Sequence, residues 1–247
     1  MKEIEGYVLI GKNILEVIVE LSKQEWVYMD RFRGKCKAKI GDFLFVYFDE
    51  ERRRDFRYYG LSHNHGLLLS DLDFINKEKE KGLGITSLAR IKELKICEFD
   101  KIISTEDLVV HIPFIDIDLD KAGLKYDKES LGLVKKLIRE HTQINEGVIL
   151  KSSSKNNLHF IGMDRVMSRD DFITFLGLCL TMGYQKQGEK RYTNIADYRH
   201  IGHSLTPRSH LPELNLSKYD YTDIFATLRV NPKNSQDNYP EVIDVLQ

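Results

Sequence analysis

The chain has 247 residues, long enough for one large domain or two small, closely packed lobes with a sizeable core that needs no disulfides. Its 37 basic residues are balanced by 38 acidic ones, for a net charge of −1. That balance excludes a generally basic chain that coats nucleic acid through bulk charge, so any nucleic-acid contact is expected to be local.

Cys36, Cys97 and Cys179 are odd in number and contain no CxxC pair, which supports neither a disulfide framework nor a zinc ribbon. They read as reduced thiols in a cytoplasmic protein. The start, with Glu3, Glu5, Lys12, Glu16 and Glu20 among its apolar residues, suits neither a signal peptide nor an export address. Nowhere do eighteen apolar residues run together, so no membrane span is expected.

In chain order, residues 13–23 (NILEVIVELSK) carry an apolar face at helical spacing, and 41–50 (GDFLFVYFDE) read as a buried strand rich in aromatic and β-branched residues. At 51–60, ERRRDFRYYG interleaves Arg52, Arg53, Arg54 and Arg57 with Phe56, Tyr58 and Tyr59. Such a stretch can hold phosphates and stack bases; a solvated charged hairpin with inward aromatics is the equally plain alternative. The mixed-charge run INKEKEKG at 75–82 reads as a solvated helix end or loop.

From residue 107 the pattern is regular. DLVVHIPFIDIDL reads as a strand, 129–143 as an amphipathic helix and 147–163 as a hairpin. Ser168, with Asp171 in the capping-box position, opens an apolar helix that stops at Gly183, and 191–205 read as a last strand region. The expected fold class is α+β: the order strand, helix, hairpin, helix, strand suits an antiparallel sheet with helices on one face, of the ferredoxin or RNA-recognition kind. The last 30 residues, with PKNSQDNYP at 232–240, read as a loose tail.

Asp116 and Asp118 carry the first chemical signal. On a strand, positions i and i+2 share a face, so the two carboxylates project together while Ile115, Ile117 and Leu119 face the other way. Paired carboxylates repel unless a cation neutralises them, and hard oxygen ligands suit Mg²⁺ or Mn²⁺. The alternative is an exposed strand end, which the apolar flanks disfavour. The second signal is SSSKNNLHFIG at 152–162, where a polar turn containing Ser154, Lys155 and Asn157 leads to His159. Turn N–H groups and an imidazole can bind a triphosphate, although a lone histidine in a strand is more often simply packed. The third is TNIADYRHIGHSL, in which Asp197 either completes a three-carboxylate site with Arg199 or Arg208 neutralising phosphate, or pairs locally with Arg199. His200, His203 and His210 match no zinc spacing.

Taken in order, Ile115-Asp116-Ile117-Asp118, Asn157-Leu158-His159 and Ala196-Asp197 resemble the three motifs of the archaeo-eukaryotic primase superfamily, the primase-polymerases. Asn157 stands where the family usually has serine or another small residue. The ADYRHIGHSL stretch resembles the smaller prokaryotic branch labelled primase 1D-like. The resemblance implies an N-terminal α/β module at 1–105, an RNA-recognition-like catalytic module at 106–217 and a C-terminal extension at 218–247. It also implies a DNA-directed primase or polymerase that adds (d)NTPs by two-metal catalysis. Asp116, Asp118 and Asp197 would hold two Mg²⁺ or Mn²⁺ ions. His159 would bind the nucleoside triphosphate, aided by Ser154, Lys155, Asn157, Arg199 and Lys151.

Expected partners are single-stranded or primed nucleic acid and a separately encoded helicase or accessory protein, with no membrane. Two other functions fit the same residues: a primase-like nucleic-acid or nucleotide-binding module of a mobile-element or defence system with weak or no catalysis, and a metal-dependent nuclease or phosphoesterase.

Overall fold

The computed structural model describes residues 6–48, 60–61, 82–98, 101–152, 156–185, 188, 190, 192–205, 224–230 and 238–247. Helix α1, Ile14–Leu21, begins where the sequence pattern places it. The Asn13 side chain accepts from the Leu15 and Glu16 N–H groups at 3.0 Å each, and Glu16 reaches back to accept from the Asn13 N–H at 2.8 Å, closing a capping box. Its apolar face, Ile14, Val17, Ile18 and Leu21, is buried.

Strands β1 (Trp26–Asp30) and β2 (Gly34–Phe48) form a hairpin. Gly34 takes φ +70° at its turn, and Asp30 Oδ1 accepts from the Phe32 and Arg33 N–H groups. β3 (Gly60–Leu61) pairs with β2, β4 (Gly82–Ile96) runs antiparallel to β2, and β5 (Lys101–His111) runs antiparallel to β4.

The expected continuous strand through 107–119 is broken. Proline has no N–H to donate, and at Ile112-Pro113 the chain leaves the first sheet, so that β6 (Phe114–Asp118) belongs to a second one. Helix α2 (Lys128–Thr142) follows, capped by Asp127 Oδ1 accepting from the Ser130 N–H and ended by Gln143 in the left-handed conformation. β7 (Gly147–Lys151) and β8 (Asn157–Gly162) form the expected hairpin. β9 (Arg165–Val166) returns to pair in parallel with β1.

Helix α3, Arg169–Cys179, starts at Ser168 as expected but ends before Gly183, which opens β10 (Gly183–Gln185). The Asp171 carboxylate accepts from the Ser168 hydroxyl instead of reaching its backbone N–H, so only half of the capping box forms. The predicted final strand region is a strand only at β11 (Tyr192–Asn194); residues Tyr198–Leu205 are helix α4. The apolar spacing of Ile201 and Leu205 is helical, and Asp197 supplies an N-terminal cap that overrides the β-forming residues before it.

The loose-tail expectation for 218–247 fails at the described residues 224–230 and 238–247; the remainder of that span lies outside the described residues. β12 (Thr227–Arg229) pairs with β4, and β13 (Glu241–Leu246) pairs antiparallel with β7. Val242, Val245 and Leu246 are buried there, an apolar stripe masked in the sequence by the polar tract before it.

Among the described residues the fold is thus mixed α+β, with four α-helices and two principal sheets. One follows the order β12-β4-β2-β1-β9 with β5 on β4 and β3 on β2; the other follows β13-β7-β8-β6; a small β10-β11 pair stands apart. One apolar cluster runs through both principal sheets, with Trp26, Phe43, Phe114, Phe160, Phe172 and Phe175 buried in it. Among the described residues, no helix is long and apolar enough to cross a membrane.

Deleting residues 241–247 strips the outer edge from β7 and removes three buried side chains, worth roughly 1.5–3 kcal/mol each. The expected outcome is a large fall in the urea midpoint; an unchanged midpoint would show that β13 is dispensable.

Candidate metal and nucleotide site

The site is assembled around β6. Alternation along the strand buries Ile115 and Ile117 on one face and puts Asp116 and Asp118 on the other. Antiparallel register sets His159 of β8 opposite Asp116, and Asn157 opposite Asp118. The free edge of β6 is taken by residues 195–197. The Asp118 N–H donates to the Ile195 carbonyl at 3.0 Å, the Asp197 N–H donates to the Asp116 carbonyl at 2.8 Å, and Ile117 bridges to Ala196. Asp197 therefore stands beside Asp116 on the same face, as a cross-strand neighbour.

After β6 the chain turns sharply, with Asp118 Oδ1 accepting from the Lys121 N–H at 3.0 Å. The turn sends the Lys121 side chain back over the carboxylates. Its Nζ lies 2.7 Å from Asp118 Oδ2 and 2.9 Å from Asp197 Oδ2. Asp197 also caps α4: Oδ1 accepts from the Arg199 N–H at 2.9 Å and from Nε at 3.3 Å, while Oδ2 accepts from Arg199 Nη2 at 3.1 Å. Asp197 thus pairs locally with Arg199, as the second sequence reading has it, and also stands beside Asp116 across the edge of β6.

The groups differ in charge preference. Burial pushes the Asp116 carboxyl above its usual range, and the neighbouring Asp197 and Asp118 charges add to this against a countering His200. Its Oδ1 is buried with no hydrogen-bond donor. Burial acts in the same direction on Asp197, but hydrogen bonds from Arg199 and Lys121 outweigh it and hold that carboxyl below the usual range. Asp118 and Asp197 raise Lys121 against its own desolvation, so it stays an ammonium. His159 is pushed down to about 4 by burial, with Arg229 of β12 adding to the effect, so its ring is neutral at physiological pH. Its Nε2 lies 3.9 Å from Asp116 Oδ1, and its Nδ1 is buried without a partner.

Asp116, Asp118, Asp197, His159, Asn157 and Arg199 are thus brought together. Lys151 is not: strand alternation turns it to the opposite face from His159, where its Nζ sits 4.7 Å from the Tyr126 ring centroid. Ser154, Lys155, Arg208 and His210, and the basic stretch with Arg52, Arg53, Arg54 and Arg57, lie outside the described residues. Two participants escape the sequence reading. Lys121 carries a local signal, a basic residue three positions after the second aspartate, whereas Arg229 arrives from a strand over a hundred positions away and carries none.

No family model, curated protein or solved structure matches the chain. Among the described residues, no three His, Cys, Asp or Glu side chains stand in a ready metal cage. The donors present are nevertheless carboxylate oxygens, the ligand type that hard cations take. Carboxylate oxygens of Asp118 and Asp197 converge on a single positive atom, and a third carboxylate beside them has an oxygen that no donor satisfies.

Opposite stability changes follow for Asp116 and Asp197 in chelator-treated protein. A raised carboxyl contributes stability below its unfolded value, near pH 4, that is lost as pH rises through the folded value; a depressed one contributes above pH ~4 and loses it as pH falls through the folded value. Asp116→Asn is expected to stabilise at neutral pH by about 1 kcal/mol, and Asp197→Asn to destabilise by about 1–2 kcal/mol. Thermal melts from pH 4 to 8 check both signs; a destabilised Asp116→Asn would contradict the assigned charge cost.

Proposed function

We propose that the chain is a nucleotidyltransferase of the primase-polymerase kind, which adds nucleotides from (d)NTPs to a DNA or RNA end on a template strand. The observation that carries this reading is the convergence of Asp118 and Asp197, 79 positions apart in the chain, on one cationic atom, with Asp116 and His159 beside them. The topology supports it: β6-α2-β7-β8-α3 with spatial order β7-β8-β6 agrees with the order expected of an RNA-recognition-like sheet, and residues 195–197 take the edge where a fourth strand would lie. β13 adds on the far side, next to β7, which is a departure from that plan.

Asp116, Asp118 and Asp197 would hold Mg²⁺ or Mn²⁺, which when bound lower the pKa of an attacking hydroxyl and neutralise charge on a triphosphate and its pyrophosphate leaving group. The chain's own residues bind and orient. Neutral His159 can donate one ring N–H to a phosphate oxygen, the Asn157 amide lies in the next register position, and the Arg199 guanidinium, 62% exposed, can meet phosphate charge from solvent.

With Mn²⁺ and labelled nucleotides, the purified protein is expected to extend primed or single-stranded templates, and Asp118→Asn to reduce product by about 100-fold or more. No product from the native chain, with no effect of Asp116→Ala, would refute the reading. Loss of DNA without added nucleotides would instead identify a nuclease. One observation favours a second reading, a nucleotide-binding module without turnover: the Lys121 ammonium already neutralises the pair that an ion would need. Nucleotide binding that survives Asp197→Asn, with no turnover in any assay, would support that module.

A further inference from the structure

We infer that Lys121 is an exchangeable internal counter-ion: its ammonium occupies the position between Asp118 and Asp197 that a divalent cation takes, and cation binding must displace it. The inference rests on the metal-site reading above and adds a residue that the sequence motifs do not contain.

Three observations carry it. First, Nζ makes the contacts a bound ion would make, at 2.7 Å to Asp118 Oδ2 and 2.9 Å to Asp197 Oδ2, bridging residues from two separate chain segments. Second, neither carboxylate needs that ammonium to keep its orientation. Asp118 Oδ1 is held by the Lys121 backbone N–H, which stays when the side chain leaves, and Asp197 is held by the Arg199 N–H and guanidinium. Third, the ammonium has somewhere to go. The Lys121 side chain is 36% exposed, and Nζ already lies 5.8 Å from the centroid of the exposed Tyr198 ring, a cation-π contact it can keep as it moves outwards.

His159 points independently to a ligand on this face. Its side chain is only 6% exposed, Nδ1 has no partner, and Nε2 lies 3.9 Å from the unsatisfied Asp116 oxygen. A face closed permanently by Lys121 would leave those two polar groups desolvated without compensation. Exchange of a singly charged ammonium for a divalent ion supplies more positive charge to the three carboxylates and opens the lysine side chain towards solvent.

The test is Mn²⁺ binding to the full chain, read by loss of the free-ion electron paramagnetic resonance signal, with no nucleotide or turnover involved. Lys121→Met is expected to bind Mn²⁺ about tenfold more tightly than the native chain, because one charge-assisted contact no longer competes. Arg199→Met removes the same charge from Asp197 without vacating the shared position, so its gain is expected to be clearly smaller. Equal gains in the two variants would reduce the effect to general electrostatics and overturn the exchange, as would unchanged or weaker binding by Lys121→Met. If Lys121→Met does not fold, Lys121→Gln carries the same comparison. Absence of Mn²⁺ binding in the native chain and in both lysine variants would refute the metal-site reading itself and the exchange with it. Native binding that neither lysine variant tightens would overturn the exchange alone.

Discussion

Two backbone hydrogen bonds on the edge of β6 hold the acidic face together. The Asp118 N–H to the Ile195 carbonyl and the Asp197 N–H to the Asp116 carbonyl form a single antiparallel bridge, too short to count as a strand. They do two things at once. They satisfy the backbone of an edge that would otherwise be unpaired, and they set Asp197 beside Asp116 in cross-strand register. Helix α4 begins at that bridge, with Asp197 as its cap, so the same residue ends the pairing, starts the helix and completes the acidic group. The fold thus commits three carboxylates to one small area for backbone reasons, and the electrostatic consequences follow.

Three neighbouring carboxylates in a half-buried setting are costly in isolation, and the protein meets that cost unequally. Asp197 receives Arg199 and Lys121 and keeps its charge easily. Asp118 shares Lys121 and has a backbone N–H. Asp116 receives no hydrogen bond at its buried oxygen, so its ionised form is disfavoured. His159 offers it little relief, since burial keeps that ring neutral, and the countering charge comes from His200 and Lys121. A hydrophobic strand end would fold without any of this imbalance. Retention of an under-compensated carboxylate next to a desolvated, neutral histidine is what distinguishes this face from an ordinary surface ion-pair network, and such perturbation concentrates at binding and catalytic positions.

Much of this was legible from residue spacing because it depends on local rules. Alternation on a strand put Asp116 and Asp118 on one face, the helical apolar spacing of 13–23 and the Ser168 cap marked two helices, and the pairing of β7 with β8 was the expected hairpin. What was not legible depends on distant partners. The break at Pro113 is local chemistry, but the switch of sheet there depends on β9 and β12 returning to complete the first sheet. Residues 198–205 read as strand because Tyr192, Thr193 and Ile195 precede them, while the helix is decided by a cap that only works once Asp197 is held by β6. β13 was hidden by the Pro- and Asn-rich tract before it, although Val242, Val245 and Leu246 carry the apolar pattern. Lys121 was overlooked for a different reason: acidic motifs draw attention to ligands, and the residue that balances them lies in the turn just beyond.

Exposure around the site gives its direction of approach. The His159 side chain is almost closed off and Asp197 and Asp118 are nearly so, whereas Arg199 and Tyr198 at the start of α4 stand largely in solvent. Access therefore runs from the α4 side inwards, past a guanidinium and an aromatic ring, to carboxylates and finally to an imidazole at the base. For the nucleotide proposed above, charge would be met first where it is still hydrated, and desolvation would be greatest where the fixed hydrogen-bonding groups lie. It also assigns opposite duties to the two cations. Arg199 is exposed, forked and tied to one carboxylate, so it can hold Asp197 and still present N–H groups outward. Lys121 is a single flexible point charge shared between two carboxylates, and it can leave without disturbing either.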